Sequence, residues 1–196
     1  MALDIGIDLG TANIIITIAG KGIVLNEPSV VAYDKKKKAV VAVGAEAYKM
    51  IGRTPEYIVA VRPLKDGVIS DNDMTEAMIR EFIHMVNGGA MMKPRIVLCV
   101  PSSVTDVERR AVVEAAMSAG ARKVFLIEEP IAALIGAGVD ISKPNGTMVV
   151  DIGGGTADVA IVSFNGIVQS RSIKMAGNKF CLLYTSDAAD EARSVD

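Results

Sequence analysis

Tryptophan is absent from this chain of 196 residues, aromatic residues make up only 4% of it, and cysteine occurs just twice. Cys99 and Cys181 provide neither a disulfide framework nor the spacing of a metal site. Unpaired thiols are typical of a reducing compartment, so the sequence predicts a cytoplasmic protein. With so few aromatic rings, the core must be built from aliphatic side chains and methionine.

Long hydrophobic runs are also lacking. A membrane-spanning helix needs about 20 consecutive apolar residues, and runs such as residues 96–101 are far shorter. Asp4 and Asp8 interrupt the stretch in which a secretory signal would carry its apolar region. We therefore expect neither a membrane span nor a signal peptide.

The chain has no excess of charge of one sign. It carries 21 basic and 23 acidic residues, a net charge of −2, which argues against sequence-independent binding of nucleic acid. Hydrophobic residues make up 51% and charged residues 22%, a composition too apolar for a disordered chain. The length suffices for one sizeable core or two small ones.

The apolar pattern alternates between strand and helix periods, which predicts an α/β fold. Ser70 or Asp71 is placed to cap a helix that ends at the glycines of positions 88 and 89. Residues 95–100 form a continuous apolar strand, which we expect to be buried on both faces. Further predicted strands lie at 3–9, 14–19, 39–43, 58–61, 123–127 and 147–150, with further helices at 44–51, 104–119 and 130–136 and a closing hairpin at 159–173.

An internal repeat is the most informative feature of the sequence. Residues 7–13 are echoed by residues 150–158, and the second copy carries two extra glycines. Each copy reads as a strand, a turn of glycine and threonine, and a second strand that leads to a Gly-Ile-Val sequence. The repeat predicts two similar halves whose turns face each other.

These turns have the chemistry of phosphate binding. Glycines let backbone N–H groups approach anionic oxygens, and Thr11, Asn13 and Thr156 add side-chain donors. Asp8 and Asp151 end the strands beside the turns, where carboxylates suit a Mg²⁺ ion that keeps some of its waters. The alternative is that each turn is only a tight hairpin, which two matched copies make less probable. Neither turn is a Walker A loop, because no Gly-Lys-Ser/Thr follows.

The sequence resembles the actin, Hsp70 and sugar-kinase superfamily, and within it the bacterial actin family of MreB and Mbl. The matching stretches include residues 7–13, 62–69, 94–102, 127–138 and 148–162 and run almost continuously to about residue 180. The resemblance implies an actin-like (ribonuclease H-like) ATPase fold, truncated after the start of its second half. It also implies ATP and Mg²⁺ as ligands, self-assembly into filaments, and a role in rod cell shape at the inner face of the cytoplasmic membrane with the cell-wall synthesis machinery.

The same resemblance assigns roles to individual residues. Glu129 would orient or activate the attacking water, assisted by Thr156, and Asp8 and Asp151 would reach Mg²⁺ through water. Met91 and Met92 would form a membrane loop between cations, although they could equally pack under the preceding helix. Glu128 and Glu129 could instead be solvated carboxylates at a helix start. The phosphates would lie against Gly10, Thr11, Ala12 and Asn13 of the first loop and Gly153, Gly154, Gly155 and Thr156 of the second.

The family pattern also divides the chain. Residues 1–33 and 65–145 correspond to subdomain IA, 34–64 to the inserted subdomain IB, and 146–180 to the opening strands of subdomain IIA. An incomplete IIA sheet is expected to expose apolar faces between residues 159 and 173. Residues 181–196 lack an apolar face at helix spacing and resemble a translated sequencing adapter, so we interpret them as a non-native tail.

Three alternatives remain open at the level of sequence. A small-molecule kinase of the same superfamily would need an aspartate base aimed at its substrate, whereas Glu129 occupies the water-orienting position. An Hsp70-like chaperone would carry a longer insertion before the motif at 127–130 and a peptide-binding domain. The third alternative is a non-functional truncated fragment, for which the ATPase activity expected of the parent protein would be lost.

Overall fold

The computed structural model describes residues 3–88 and 92–193, with side chains described as far as residue 185. The elements follow one another in alternation, which confirms the predicted α/β class. They are β1 (Asp4–Leu9), β2 (Asn13–Ile18), β3 (Gly22–Pro28), β4 (Val31–Asp34), β5 (Ala39–Val43), α1 (Gly44–Met50), β6 (Ile58–Val61), β7 (Leu64–Lys65), β8 (Val68–Ile69), α2 (Asn72–Asn87), β9 (Arg95–Val100), α3 (Asp106–Ser118), β10 (Lys123–Glu128), α4 (Glu129–Gly136), β11 (Thr147–Ile152), β12 (Ala157–Ser163), β13 (Gly166–Ile173) and α5 (Gly177–Arg193).

The larger sheet has five strands in the order β10-β9-β1-β2-β3. β1, β2 and β3 pair antiparallel through short turns, whereas β9 and β10 join parallel to β1 after helical crossovers. The carboxyl ends of β1, β9 and β10 therefore lie at one edge, the edge at which α/β sheets place their ligands. A separate small sheet, β5-β4-β6, overlaps the predicted insertion at 34–64.

Two helices, α2 and α3, pack apolar side chains against the larger sheet, and each begins at a well-defined cap. The carboxylate of Asp71 accepts a hydrogen bond from the N–H of Met74, so Asp71 is the cap that the sequence offered beside Ser70. Thr105 and Glu108 form a reciprocal capping box that starts α3. The core of this lobe includes Ile5, Ile7, Ile14, Ile16, Met78, Ile79, Phe82, Ile96 and Leu98, all buried.

The prediction that residues 95–100 are buried on both faces is wrong. Ile96, Leu98 and Val100 are buried, but Val97 is 40% exposed and Phe125 beside it is 45% exposed. The strand alternates because the packed helices cover one face of the sheet, whereas the other face leaves Val97 exposed and Cys99 only half-buried. Apolar continuity indicated a buried strand but could not tell whether both faces were covered.

The smaller sheet, β11-β12-β13, follows the second copy of the repeat. α4 packs against β11 and β12, and Ala160 and Val162 are buried on one face. The opposite face exposes Val159, Ile161, Met148, Val150 and Ile152. The expected exposure of apolar side chains within residues 159–173 is thus confirmed.

The end of the chain differs from expectation. We interpreted residues 181–196 as a non-native tail without an apolar helical face and assigned them no element, whereas α5 continues without a break from Gly177 to Arg193. Alanine, leucine and acidic residues have good or tolerable helix propensity, so a helix that has begun can extend through them. Leu182, Leu183 and Tyr184 are nevertheless exposed, so this part of the helix is not packed against the core. The non-native origin of residues 181–196 stays a prediction, as do the subdomain boundaries.

Candidate functional site

The two glycine-rich turns of the repeat meet at the base of a cleft between the two sheets. A Cβ atom at Gly154 would lie 2.6 Å from the Cβ of Ala12, and one at Gly155 would lie 2.6 Å from the Oγ1 of Thr11. Real Cβ atoms do not approach other atoms so closely. The predicted face-to-face arrangement is therefore observed, and glycine is required in the second turn because the first turn occupies the space of a side chain.

The first turn is held by its carbonyl oxygens. The hydroxyl of Ser29 donates to the carbonyl of Gly10 over 2.6 Å, and the N–H of Ser29 donates to the carbonyl of Ala12 over 2.9 Å. The guanidinium of Arg62 adds a bond to the same Ala12 carbonyl. Because Ser29 is fully buried, this support is rigid.

The second turn is held in the same manner. The N–H of Gly153 donates to the carbonyl of Thr156, and the first residues of α5, Gly177 and Asn178, donate to the carbonyls of Gly153 and Gly154. Within the described part of the chain, the turn residues whose N–H groups donate to no protein acceptor are Gly10, Thr11, Ala12, Gly154, Gly155 and Thr156. Backbone donors that converge from two turns form a cradle for an anion.

A third segment, the β7–β8 hairpin, to which the sequence analysis assigned no element, closes this site. The tip of the β7–β8 hairpin is a type I′ turn, with positive φ at Asp66 and Gly67. The N–H of Gly67 donates to the hydroxyl of Thr11 over 3.0 Å, and a Cβ at Gly67 would lie 2.7 Å from a methyl carbon of Thr156. The Asp-Gly dipeptide signals the turn, but nothing local indicates that the turn reaches both phosphate-type loops.

Carboxylates gather beside the cradle. Asp8 at the end of β1, Asp151 in β11 and Glu129 at the start of α4 line one cleft together with Gly10, Thr11, Gly67, Gly153, Gly154, Gly155 and Thr156. The structure thus brings together most of the predicted site residues. Asn13 lies apart, because its side-chain amide donates to the side-chain oxygen of Asn26.

The electrostatics of the cleft are strongly negative. Burial, followed by the charges of Asp8, Asp158 and Asp151, raises the pKa of Glu129 to about 8. Burial also raises the pKa of Asp8 and of Asp151, with a further contribution from one neighbouring carboxylate in each case. Carboxylates held so close together favour a bound cation, because a positive charge removes their repulsion.

The donor set fits magnesium bound through water. Among the described residues no group of three or more His, Cys, Asp or Glu side chains could hold a metal ion directly. Asp8 and Asp151 supply carboxylate oxygens next to the anion cradle. Mg²⁺ usually meets a protein in this way, through one or two carboxylates, several waters and the phosphates of the substrate.

The two neighbouring glutamates at the start of α4 have different surroundings. Glu128 forms an ion pair with Arg109 over 3.0 Å, so it is not the solvated carboxylate that the alternative interpretation required. Pro130 follows at the start of the helix, where its fixed φ is favourable. The ion pair and the proline fix the junction from which Glu129 extends into the cleft.

Asp158 is a buried carboxylate near the cleft that the sequence analysis did not single out. It is 1% exposed, and its Oδ1 accepts a hydrogen bond from the hydroxyl of Ser102 over 2.9 Å. A signal was present, because Asp158 follows Thr156 by two positions as Asn13 follows Thr11. These two residues occupy equivalent positions in the repeat but differ in burial, because Asn13 is exposed and Asp158 is buried.

The raised pKa of Glu129 predicts a specific pH dependence of stability. The folded protein holds this proton up to about pH 8, whereas an unfolded glutamate releases it near pH 4.3, so stability falls between these values as pH rises. Glu129→Gln removes the effect. In the full-length protein without nucleotide or metal, we expect the variant to gain stability over the original protein by about 1.4 kcal/mol per pH unit between pH 5 and about pH 8, with little further change above it.

Thermal unfolding at a series of pH values measures this gain. Glu114→Gln on α3 is the matched control, because Glu114 is exposed to solvent. Melting curves of the Glu129→Gln variant that stay parallel to those of the original protein across this pH range would contradict the electrostatic account of the cleft.

Comparison with known protein families agrees with this geometry. The family described as MreB/Mbl protein matches residues 2–182. The cell shape-determining protein Mbl of Bacillus subtilis (strain 168) is 59% identical over 180 residues, which are 91% of this chain and 54% of Mbl. The cell shape-determining protein MreB of Escherichia coli (strain K12) is 55% identical over 183 residues, 90% of this chain and 53% of MreB. The chain thus spans about half the length of the curated relatives it matches.

Solved structures share the fold. MreB5 of Spiroplasma citri bound to ADP superimposes with a TM-score of 0.82 at 42% identity, covering 92% of this chain and 54% of MreB5. The MamK double helical filament has a TM-score of 0.75 at 23% identity, which shows a shared fold. The fold is therefore the actin-like α/β fold. The family match covers most of the chain, and the facing turns and the carboxylate-lined cleft agree with it. The chain therefore belongs to the MreB/Mbl family of bacterial actins.

Proposed function

We propose that the full-length protein containing this segment binds ATP with Mg²⁺ in the cleft and hydrolyses it. The observation that carries the proposal is the pair of facing turns, whose unpaired N–H groups point to an anionic ligand beside Asp8 and Asp151. Two structures of Spiroplasma citri MreB5, one bound to ADP and one to AMPPNP, support a nucleotide as the ligand.

The residues of the cleft divide the work of phosphoryl transfer to water. The two turns hold the phosphate oxygens through backbone donors, and the hydroxyl of Thr156 adds one more. When bound, Mg²⁺ supplies positive charge that neutralises the phosphates. Burial and neighbouring charges keep the Glu129 carboxyl protonated up to about pH 8 when no cation is present. It is ionised once a cation neutralises those charges, and the carboxylate then orients the attacking water or accepts its proton, the positioning function that this reaction needs.

Closure of the site keeps bulk water away from the reacting groups. Thr11 and Thr156 are both only 9% exposed, and the β7–β8 hairpin lies over them through Gly67. Electrostatic interactions are stronger in such an enclosed place than in open water. The enclosure therefore strengthens the interactions that Glu129 and Thr156 make with a ligand in the cradle.

We further propose that the full-length protein assembles into filaments in the presence of ATP and helps maintain rod cell shape. The cell-shape role rests on the names of its relatives, Mbl and MreB, and the filament on the shared fold of MamK. Organisation of the cell-wall synthesis machinery would be its contribution to shape. The nucleotide would couple to assembly through the cleft that separates the two sheets.

Sedimentation tests filament formation and hydrolysis together. We expect the full-length protein to pellet with MgATP and to release phosphate. Glu129→Gln should still pellet but release phosphate at least about 100-fold more slowly, since a positioned general base contributes about 10²- to 10⁴-fold. Glu114→Gln, on an exposed part of α3, should behave as the original protein does. A protein that neither pellets nor hydrolyses, or a Glu129→Gln variant of unchanged rate, would contradict the proposal.

Peripheral membrane binding is the proposed location of the filament. None of the described helices is long and apolar enough to span a membrane, so contact would be made at the surface. Met92 is 49% exposed and next to the exposed Lys93, while Met91 lies outside the described residues. Exposed methionine beside a cation suits an anionic lipid surface. Arg95, the next cation along the chain, is less available to lipid, because both its bonds of 2.6 Å go to Asp4.

Flotation with anionic liposomes tests this placement on the full-length protein. Replacing Met91 and Met92 together by serine should abolish flotation, because the apolar contact is lost while the fold is unaffected. Met117→Ser on α3 is the matched control, since Met117 is also exposed. Unchanged flotation of the double variant would exclude the loop as the membrane contact.

A further inference from the structure

We propose that Ser102 is a positioning residue for the hydrolysis step, which acts by holding the buried carboxylate of Asp158 beside the reacting groups. The inference rests on the proposed ATPase function and names a residue that this function does not require by itself. Ser102 does not touch the cradle. It acts through Asp158, to which its hydroxyl donates a hydrogen bond of 2.9 Å.

The bond joins the two sheets across the cleft. Ser102 follows β9 of the larger sheet, two residues after that strand ends, whereas Asp158 is the second residue of β12 in the smaller sheet. The two residues are 56 positions apart in the chain. A hydrogen bond between a hydroxyl and a buried carboxylate therefore sets where β12 lies relative to the end of β9.

The position of the Asp158 carboxylate affects the electrostatic environment of Glu129 and Asp151. It lies directly opposite Asp151 in the antiparallel register of β11 and β12, and directly paired residues project from the same face of a sheet. It also follows Thr156 by two positions in the same segment. Its charge contributes to the raised pKa of Glu129 and of Asp151. A displacement of this carboxylate would change the field in which Glu129 orients water.

The other hydroxyl next to Asp158, that of Ser172, does not donate a hydrogen bond to the Asp158 carboxylate among the described residues. Ser172 pairs with Asp158 across β12 and β13, yet its Oγ is buried without a hydrogen-bond partner among the described residues. Ser102 is thus the donor that the described structure gives to Asp158. A buried carboxylate that loses its donor must rotate towards another donor, since an unpaired buried charge is costly. Ser172 is the group that could substitute for Ser102.

Steady-state and single-turnover hydrolysis by the full-length protein tests the proposal. We expect Ser102→Ala to lower kcat about ten-fold, the order expected for one hydrogen bond to a charged group. The Kd for AMPPNP should change less than about two-fold, because the cradle is intact. Ser102→Thr keeps the hydroxyl and should restore the rate. Ser103→Ala, at the exposed neighbouring serine, should have no effect.

The outcomes separate this inference from the proposed function. If the original protein hydrolyses ATP and Ser102→Ala equals it, the Ser102→Ala, Ser172→Ala double variant is measured, and an unchanged rate there overturns the inference alone. Parallel losses of kcat and AMPPNP affinity, or a Ser102→Thr variant as slow as Ser102→Ala, would show a merely structural role and also overturn it. A loss of stability common to both variants is detected by thermal unfolding. An original protein that hydrolyses no ATP overturns both the proposed function and the inference.

Discussion

The close approach of two backbone turns is the constraint on which the rest of the site depends. At Gly154 and Gly155 there is no room for even one methyl group, because Ala12 and Thr11 occupy that space. The distance between the two sheets is therefore set by the glycine backbone of the second turn against the side chains of Ala12 and Thr11 in the first. A side chain at either glycine would push the turns apart, which would separate donors that must converge on one ligand.

The charges around the two turns determine which ligand the cleft favours. The turns present N–H donors, and Asp8, Asp151 and Glu129 place carboxyl groups in the same cleft. An anionic ligand alone would be repelled by the carboxylates, and a cation alone would lack most of its oxygen ligands. A phosphate group together with a divalent cation satisfies both the N–H donors and the carboxylates at once. The buried carboxylates thus have a functional reason to tolerate their mutual repulsion.

Local sequence signals predicted the elements and the facing turns well. The repeat placed Thr11 opposite the second glycine turn, and Asp71 was one of two offered helix caps. Sequence predictions failed where burial or contact depends on residues far away in the chain. Residues 95–100 look buried on both faces until the packing of α2 and α3 on one face is known, and the Asp66-Gly67 turn does not show that it reaches Thr11 and Thr156.

The affinity of the full-length protein for MgADP is the measurement that tests the account most directly. Gly155→Ala places a methyl group against Thr11, whereas Gly146→Ala places one at an ordinary contact distance of 3.5 Å from Ile161. The account predicts that Gly155→Ala weakens binding at least about ten-fold, as expected when several charge-assisted hydrogen bonds lose their geometry, and that Gly146→Ala binds as the original protein does. Equal affinity in all three proteins would contradict the claim that the approach of the two turns creates the nucleotide site.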